Sequence, residues 1–386
     1  MTQRRPVQRN REDIQARKKR ELYYRALFFC IALIIVVFDI IFFIAPDKEA
    51  SETENRTLQQ FPKLNFTTLT NGKFESSFDS YVADQFPGRD GWVRLKTSVD
   101  ILSGKTESHN IFLGKDGYLI QNLMVPSEED YQKKMEPIQS LVEAHSDLSF
   151  YALVAPSALS MLKNKLPANA PAGDEEGFFE KVKTDLTAKG ITFIDVRDAL
   201  KKAGKTEQIY YRTDHHWTTA GAYAAYQKMA EQLDLPGEST EYSHLLISDS
   251  FKGTLTASSG FRSNETDPIY VYLPKTPQEY SVSYVYEGKV TASFYETENL
   301  KVRDHYTVFF NGNYPQIRIL TDSDSKKKLL VIKDSYANCF VPFLEGDYSS
   351  IVMVDPRYFT DDIDSLITSE GITDVLYLYS ISSFAN

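Results

Sequence analysis

Cysteine is scarce, with two residues in 386, Cys30 and Cys339. One falls in a long apolar run and the other far downstream, so no disulfide is expected to join them and a crosslinked scaffold is excluded. Histidine is sparse at six residues, and tryptophan rarer still at two. No internal repeat or low-complexity tract is present, which excludes solenoid and array architectures. The net charge is -10, and Lys and Arg cluster nowhere beyond the first twenty residues. That excludes a general nucleic-acid binder, because phosphate neutralisation requires a basic face. What is there, 42% hydrophobic and 25% charged residues, is enough to bury a sizeable core.

The basic cluster, Arg4, Arg5, Arg9, Arg11, Arg17, Lys18, Lys19 and Arg20, stands before the apolar run ALFFCIALIIVVFDIIFFIA, Ala26 to Ala45. Twenty residues at about 1.5 Å each match a hydrocarbon core of about 30 Å. A basic flank before the run and the acidic stretch PDKEASETE after it imply a cytoplasmic tail (1–25), a transmembrane anchor (26–45) and everything later outside the cell. The run exceeds a signal-peptide core and is followed by a poor small-residue cleavage site, so an uncleaved anchor is expected. Asp39 lies inside the span, where it either faces a partner or reaches water at the outer interface. An exported domain of this size without a disulfide fits a bacterial surface.

Residues 46–125 read as a helical and hairpin region. Phe74, Phe78, Tyr81 and Val82 recur at helical steps, a second periodic run follows the FPGRD break, and NIFLGKDGYLI (110–120) alternates around a Lys-Asp-Gly turn. From 126 to the C-terminus helices and strands alternate. Helices are expected over 128–145, 175–189, 197–203 and 217–233, the last with Thr218 or Thr219 as its cap, and strands at LSFYALVA, ITFIDV, KKLLVIK, YSSIVMV and ITDVLYLYS. That alternation implies an α/β domain with a parallel sheet. Between about 247 and 318 the chain becomes rich in Tyr, Val and Thr, which reads as an antiparallel β insertion.

Two stretches could carry chemistry. KKLLVIKDSYANCFVPFL is a buried strand ending on Lys333-Asp334-Ser335 and turning into a helix. Ligands gather at such strand ends, and a serine there has an exposed hydroxyl and a backbone N–H suited to an oxyanion. The other stretch is YRTDHHWTTAGAY, 211–223. In an extended segment Asp214 and His216 share one face and His215 the other, so Asp214 could orient the His216 imidazole as base for Ser335. A metal pair or a structural histidine turn is the competing reading; no third protein ligand is evident nearby. Asn338, three residues past Ser335, and Arg357, after the next strand, could each contact an oxyanion or a sugar, or be structural. Trp217, Tyr211 and Tyr336 offer flat rings for a sugar face, or core packing.

TDHHW and KDSYAN, together with ENRTLQQFP, DQFPGRDGW, FKGTLTASSG and DPRYF, resemble the DHHW family of bacterial proteins, which is SGNH-hydrolase-like and similar to the acetyltransferase proteins of alginate modification. The resemblance runs from about residue 50 to the C-terminus. It implies an SGNH-hydrolase-like α/β fold with permuted block order, Ser335 as nucleophile, His216 as base and Asp214 as its orienter. By position Arg212 is similar to a basic residue near the site of the alginate relatives, with a salt bridge as the alternative. The implied activity is serine-dependent O-acetyl transfer to a cell-surface polysaccharide, with the acyl group supplied through a multi-pass membrane-bound O-acyltransferase and without metal or cofactor. The same triad would serve an esterase. The usual Gly-Asp-Ser of SGNH hydrolases is Lys-Asp-Ser here, and no clear separate Gly and Asn blocks stand for the oxyanion hole. That departure favours a non-catalytic glycan-binding or assembly protein as the other reading.

Overall fold

The computed structural model describes residues 6–51, 56–261 and 265–385. Arg4 and Arg5 of the basic tail, and Glu54 and Asn55 of the ENRTLQQFP stretch, lie outside the described residues. The chain divides into two compact units, 1–96 and 97–386.

In the first unit one helix runs from Pro6 to Ile44. Its part from Ile14 to Ile44 is long and apolar enough to cross a membrane, with a mean hydropathy of 3.2 over its most apolar window. Asp39 is exposed on it. Helix Lys73–Gln85 follows, and after the expected break helix Arg89–Leu102 begins in this unit and runs on into the second. Pro87 cannot donate a helical hydrogen bond, and Gly88 takes φ 68°, a left-handed turn that glycine enters without strain.

The second unit opens on a three-stranded antiparallel ribbon, Glu107–Ser108, Ile111–Leu113 and Leu119–Gln121, turning at Lys115–Gly117 as its alternation predicts. The main sheet has eight strands: β1 Ser149–Ala155, β2 Thr192–Phe193, β3 Tyr280–Tyr284, β4 Lys289–Thr291, β5 Gln316–Thr321, β6 Lys328–Lys333, β7 Ser350–Val354 and β8 Asp374–Ser380. Their spatial order is β4-β3-β5-β7-β6-β8-β1-β2. The five strands β7, β6, β8, β1 and β2 are mutually parallel. Leu329, Leu330, Val331 and Ile332 of β6 are all buried, as expected of a strand covered on both faces.

The flanking helices bury one stripe each. Helix Glu128–Ala144 presents Tyr131, Met135, Ile138 and Leu141, and helix Glu175–Ala188 presents Phe178, Phe179, Val182 and Leu186. Helix Thr219–Leu233 begins at Thr218, whose side chain accepts from the Gly221 N–H.

Two expectations need correction. The sheet is mixed rather than wholly parallel, because the β-rich segment is not a self-contained insertion. Its first part, Tyr242–Phe251 paired with Asp267–Pro274, forms a separate antiparallel ribbon. Its second part supplies β3, β4 and β5, with β5 antiparallel to β7 at the sheet edge. Within that segment the Tyr- and Val-bearing stretch HYTVFFNGNYPQIRI, 305–319, is a strand only from Gln316. Phe310, Asn311 and Gly312 all have φ between 55° and 96°, which no strand tolerates. The segment after Ser335 is likewise not an α-helix but two 3₁₀ turns, Ser335–Ala337 and Val341–Leu344. Pro342 removes one of the N–H groups that a continuous α-helix would use.

After the second turn, Glu345 is 5% exposed and its Oε1 meets no donor among the described residues. Burial and the charge of Asp322 push its carboxyl up to about 7. Nearby in sequence, burial pushes Asp347 up to about 6, although it accepts from the Gly237 amide and the Tyr226 hydroxyl. The folded state therefore holds these protons longer than the unfolded chain does. Their stabilisation is complete below the ordinary carboxylate range and is lost as pH rises through about 6 to 7. Glu345→Gln stays neutral and is expected to reduce that loss by about 2–3 kcal/mol. Thermal melts at pH 5 and pH 8 check this, and an equal drop in Tm for both proteins contradicts it.

Candidate active site

The segment 210–217 is a closed loop. Tyr210 and Trp217 form an antiparallel bridge, the Tyr211 amide donates to the His216 carbonyl, and the Thr218 amide donates to the Ile209 carbonyl. At its tip Asp214 makes an Asx turn: its Oδ1 accepts from the His216 backbone N–H at 3.0 Å and from His216 Nδ1 at 2.6 Å. The pairing of Asp214 with His216 thus arises from a tight turn and not from an extended strand. His215 accordingly does not point to an opposite face. Its ring lies 3.9 Å from that of His216, and its Nδ1 is 3.0 Å from Thr254 Oγ1.

The loop is pinned by groups remote in sequence. Asp267, fully buried, accepts from the backbone N–H groups of Arg212 and Thr213 and from the Thr213 hydroxyl. Asp214 Oδ2 accepts from the Thr254 N–H at 2.8 Å and its hydroxyl at 2.9 Å. That approach needs Gly253, where a Cβ would stand 2.2 Å from Asp214 Cβ. Burial opposes charge on Asp214, but the His215 and His216 imidazoles and the Thr254 amide outweigh it, and the carboxyl is held well below its ordinary range. Burial pushes His215 down to about 4, with the neighbouring His216 adding to the effect.

Ser335 opens the turn one residue past the end of β6, with Asp334 between them. His216 Nε2 is 2.7 Å from Ser335 Oγ. The hydrogen-bond network assigns the proton on Nδ1 to the bond with Asp214, which leaves Nε2 as acceptor for the serine hydroxyl. Asp334 fixes the serine turn. It accepts from the Tyr336 N–H at 2.8 Å, from the Ser380 N–H at 2.7 Å and from the Ser383 hydroxyl at 2.6 Å. The Trp217 indole N–H donates to the Tyr336 carbonyl at 3.0 Å, and the Tyr336 hydroxyl donates to the His215 carbonyl. The histidine loop and the serine turn are therefore tied together on both sides of the Ser335–His216 contact. Tyr306 stacks its ring on His216 at 3.9 Å, and its hydroxyl donates to the Ser335 carbonyl at 2.9 Å.

Ser335, His215, Asp334, Tyr336, Thr254 and Arg357 line a cavity of about 1020 Å³. Arg357 is held there by Asp355 through two hydrogen bonds of 2.8 and 2.6 Å. Asn338 is turned away: it is 1% exposed, and it accepts from Lys333 Nζ at 2.8 Å and donates to the Gly312 carbonyl at 3.3 Å. Lys333 is buried, and desolvation pushes its ammonium down to about 8 despite Asp355 at 3.6 Å. Arg212 forms an ion pair with Glu265 at 3.2 Å. Trp217 and Tyr211 are fully buried core rings, with Trp217 stacked near Phe340 and Tyr211 edge-on to Phe251.

The candidate ligand atoms of Asp214, His215 and His216 lie within 4.8 Å of one another. Both nitrogens of His216 are already engaged, by Asp214 and Ser335. A cation there would have to break one of those contacts. The residues that sequence reasoning left without a role here are Thr254, Asp267, Tyr306 and His215. FKGTLTASSG carried a signal for the first, as a stretch resembling DHHW proteins, but nothing local to Asp267 or Tyr306 announces a partner many residues away.

Residues 112–285 match the family model described as SGNH hydrolase-like domain, acetyltransferase AlgX. The matched stretch includes Asp214 and His216 and stops before Ser335. The chain is 23% identical over 235 residues to the probable alginate O-acetylase AlgJ of Pseudomonas syringae pv. tomato, covering 58% of this chain and 59% of that protein. It thus spans less than two thirds of that relative's length. A DHHW family protein from Eubacterium siraeum matches at TM-score 0.59 and 24% identity, over 72% of this chain and 93% of its own. Bacillus cereus PatB1 with a sulfonyl adduct matches at TM-score 0.59 and 21% identity, over 72% and 95%. These two show the fold. With its mixed sheet and these structural neighbours, the chain has an SGNH hydrolase-like α/β fold, and it is similar to the DHHW and AlgJ proteins and, over residues 112–285, to the AlgX acetyltransferase domain.

Proposed function

We propose that this chain is a membrane-anchored, extracytoplasmic O-acyltransferase that moves an acetyl group onto a cell-surface polysaccharide through an acyl-serine intermediate on Ser335. The observation that carries this reading is the unbroken line Asp214–His216–Ser335, with contacts of 2.6 and 2.7 Å, opening on a cavity. The similarity to a probable alginate O-acetylase supports a polysaccharide acceptor. The basic tail before the apolar helix supports an outward-facing domain. The acetyl group is supplied from a multi-pass membrane-bound O-acyltransferase, as in the family resemblance.

In this mechanism Ser335 Oγ attacks the acyl carbonyl while His216 Nε2 takes its proton, a contribution of about 10²–10⁴-fold. Asp214 holds the Nδ1 proton and stabilises the imidazolium. His216 then gives the proton to the donor's leaving group; a sugar hydroxyl, deprotonated by the same nitrogen, attacks the acyl-serine, and His216 passes that proton to Ser335 Oγ as the acyl–serine bond breaks. Arg357, fixed by Asp355 in the cavity wall, supplies positive charge to the oxyanion or the sugar. Water in place of the sugar would make the same site an esterase.

A serine-directed fluorophosphonate probe tests the activated hydroxyl. The wild-type chain is expected to label and Ser335→Ala to lose the label. Equal labelling of both, or none of the folded wild type, contradicts the reading and favours the non-catalytic glycan binder.

A further inference from the structure

Helix Arg89–Leu102 carries an exposed apolar stripe. Trp92, Leu95, Val99 and Leu102 are 49%, 55%, 52% and 87% exposed. Their spacing of three, four and three residues places them within an arc of about 80° at the helical advance of about 100° per residue. Thr97, on the other side, is the helix's buried residue. The sequence shows the periodicity but not that this face lacks protein cover.

The spanning helix indicates what covers it. The Phe38 ring lies 6.1 Å from the Trp92 indole and is stacked on Phe86 at 5.6 Å, and Phe42 meets Tyr81 edge-on at 5.7 Å. Phe38 is six residues before Ile44, the end of the apolar span, which is about 9 Å of helix rise. In a hydrocarbon layer of about 30 Å, that is the depth of roughly 5–10 Å to which the apolar face of an interfacial helix reaches below the headgroups. A tryptophan touching Phe38 sits where its ring is favoured, apolar body in lipid and N–H toward water.

We infer that helix Arg89–Leu102 lies in the membrane interface at the C-terminal end of the span, with Trp92, Leu95, Val99 and Leu102 in lipid. This rests on reading Ile14–Ile44 as a membrane span. The protein is then held at the bilayer by two elements, one crossing it and one lying on it.

The test uses the full chain with Cys30→Ser in phosphatidylcholine vesicles. Nitroxide labels go singly on Leu95→Cys and Leu102→Cys, with Ile34→Cys in the span and Lys201→Cys on the exposed surface as references. Collision with oxygen is expected to exceed collision with a nickel chelate several-fold at positions 95, 102 and 34, and the reverse at 201. Nickel-dominated collision at 95 and 102 with oxygen at 34 overturns this inference alone; nickel at 34 as well overturns the span and the inference with it. Spin–spin broadening between copies assigns the stripe to self-association, and labels shielded from both collision partners assign it to a protein partner. Either result overturns the lipid assignment. Should a labelled variant fail to fold, brominated lipid quenching of the native chain gives the same reading. Trp217 is fully buried, so quenching that disappears in Trp92→Phe reports Trp92 in lipid, and no quenching of Trp92 overturns the assignment.

Discussion

Ser335→Ala lowers O-acyl transfer by at least about 10³-fold, His216→Ala does the same, and the double variant is no worse than either alone. The non-additivity follows from the geometry. Nε2 has the Ser335 hydroxyl as its partner at 2.7 Å, so once either group is gone the other has no proton to exchange. Ser335 is only partly buried, and its alanine variant leaves Asp334 bound to Tyr336, Ser380 and Ser383. The fold is therefore expected to survive, and rates of acetyl release from an activated ester, measured alongside thermal melts, separate lost chemistry from lost structure. Independent, multiplying losses would contradict a shared proton path.

Asp214→Asn is expected to cost on the order of 10³–10⁴-fold with little change in fold. Asparagine keeps an oxygen for the Thr254 amide and hydroxyl that Asp214 Oδ2 now receives, while the His216 backbone N–H loses its acceptor Oδ1, a local cost of about 1 kcal/mol. It turns an amide N–H toward Nδ1, which moves the imidazole proton to Nε2 and removes the acceptor for Ser335. The carboxylate is held ionised well below its ordinary range, so any acid loss of activity above pH 5 does not come from Asp214. A pH–rate profile of the wild type, set against a flat residual rate in Asp214→Asn, checks both points. A profile unchanged by the substitution contradicts the assigned tautomer.

The long apolar helix was legible because its signal is local: a twenty-residue run, apolar but for Asp39, after a basic flank requires no tertiary information. The Ser335 position was legible for a similar reason, since the buried run Leu329–Ile332 can only be a covered strand, and a polar residue after it lies at a strand end. Asp214 and His216 were paired correctly on the wrong geometry. Alternation along an extended segment and an Asx turn both join residues two apart, but only the turn brings His215 to the same side.

What stayed hidden depends on contacts between distant segments. Tyr306 under the His216 ring and Asp267 beneath Thr213 come from the region read as an insertion. Tyr-, Val- and Thr-rich strands look alike whether they pair among themselves or extend an existing sheet. The spacing of Asn338 from Ser335 suggested a shared helical face. The 3₁₀ turn instead directs it to Lys333, whose buried ammonium needs the oxygen. Arg212 and Arg357, similar as sequence signals, separate by partner. The first is spent on Glu265, while the second is braced by Asp355 inside the cavity wall.

The account rests on a covalent acyl group at one oxygen. The full chain is incubated with an activated acetyl ester, quenched in acid and digested, and the peptide containing Ser335 is weighed. The account predicts a mass increase of one acetyl group on Ser335 that is absent in Ser335→Ala and accumulates no further in His216→Ala. Acetyl found on another residue with Ser335 unmodified, or turnover of the ester at the wild-type rate by Ser335→Ala, contradicts it.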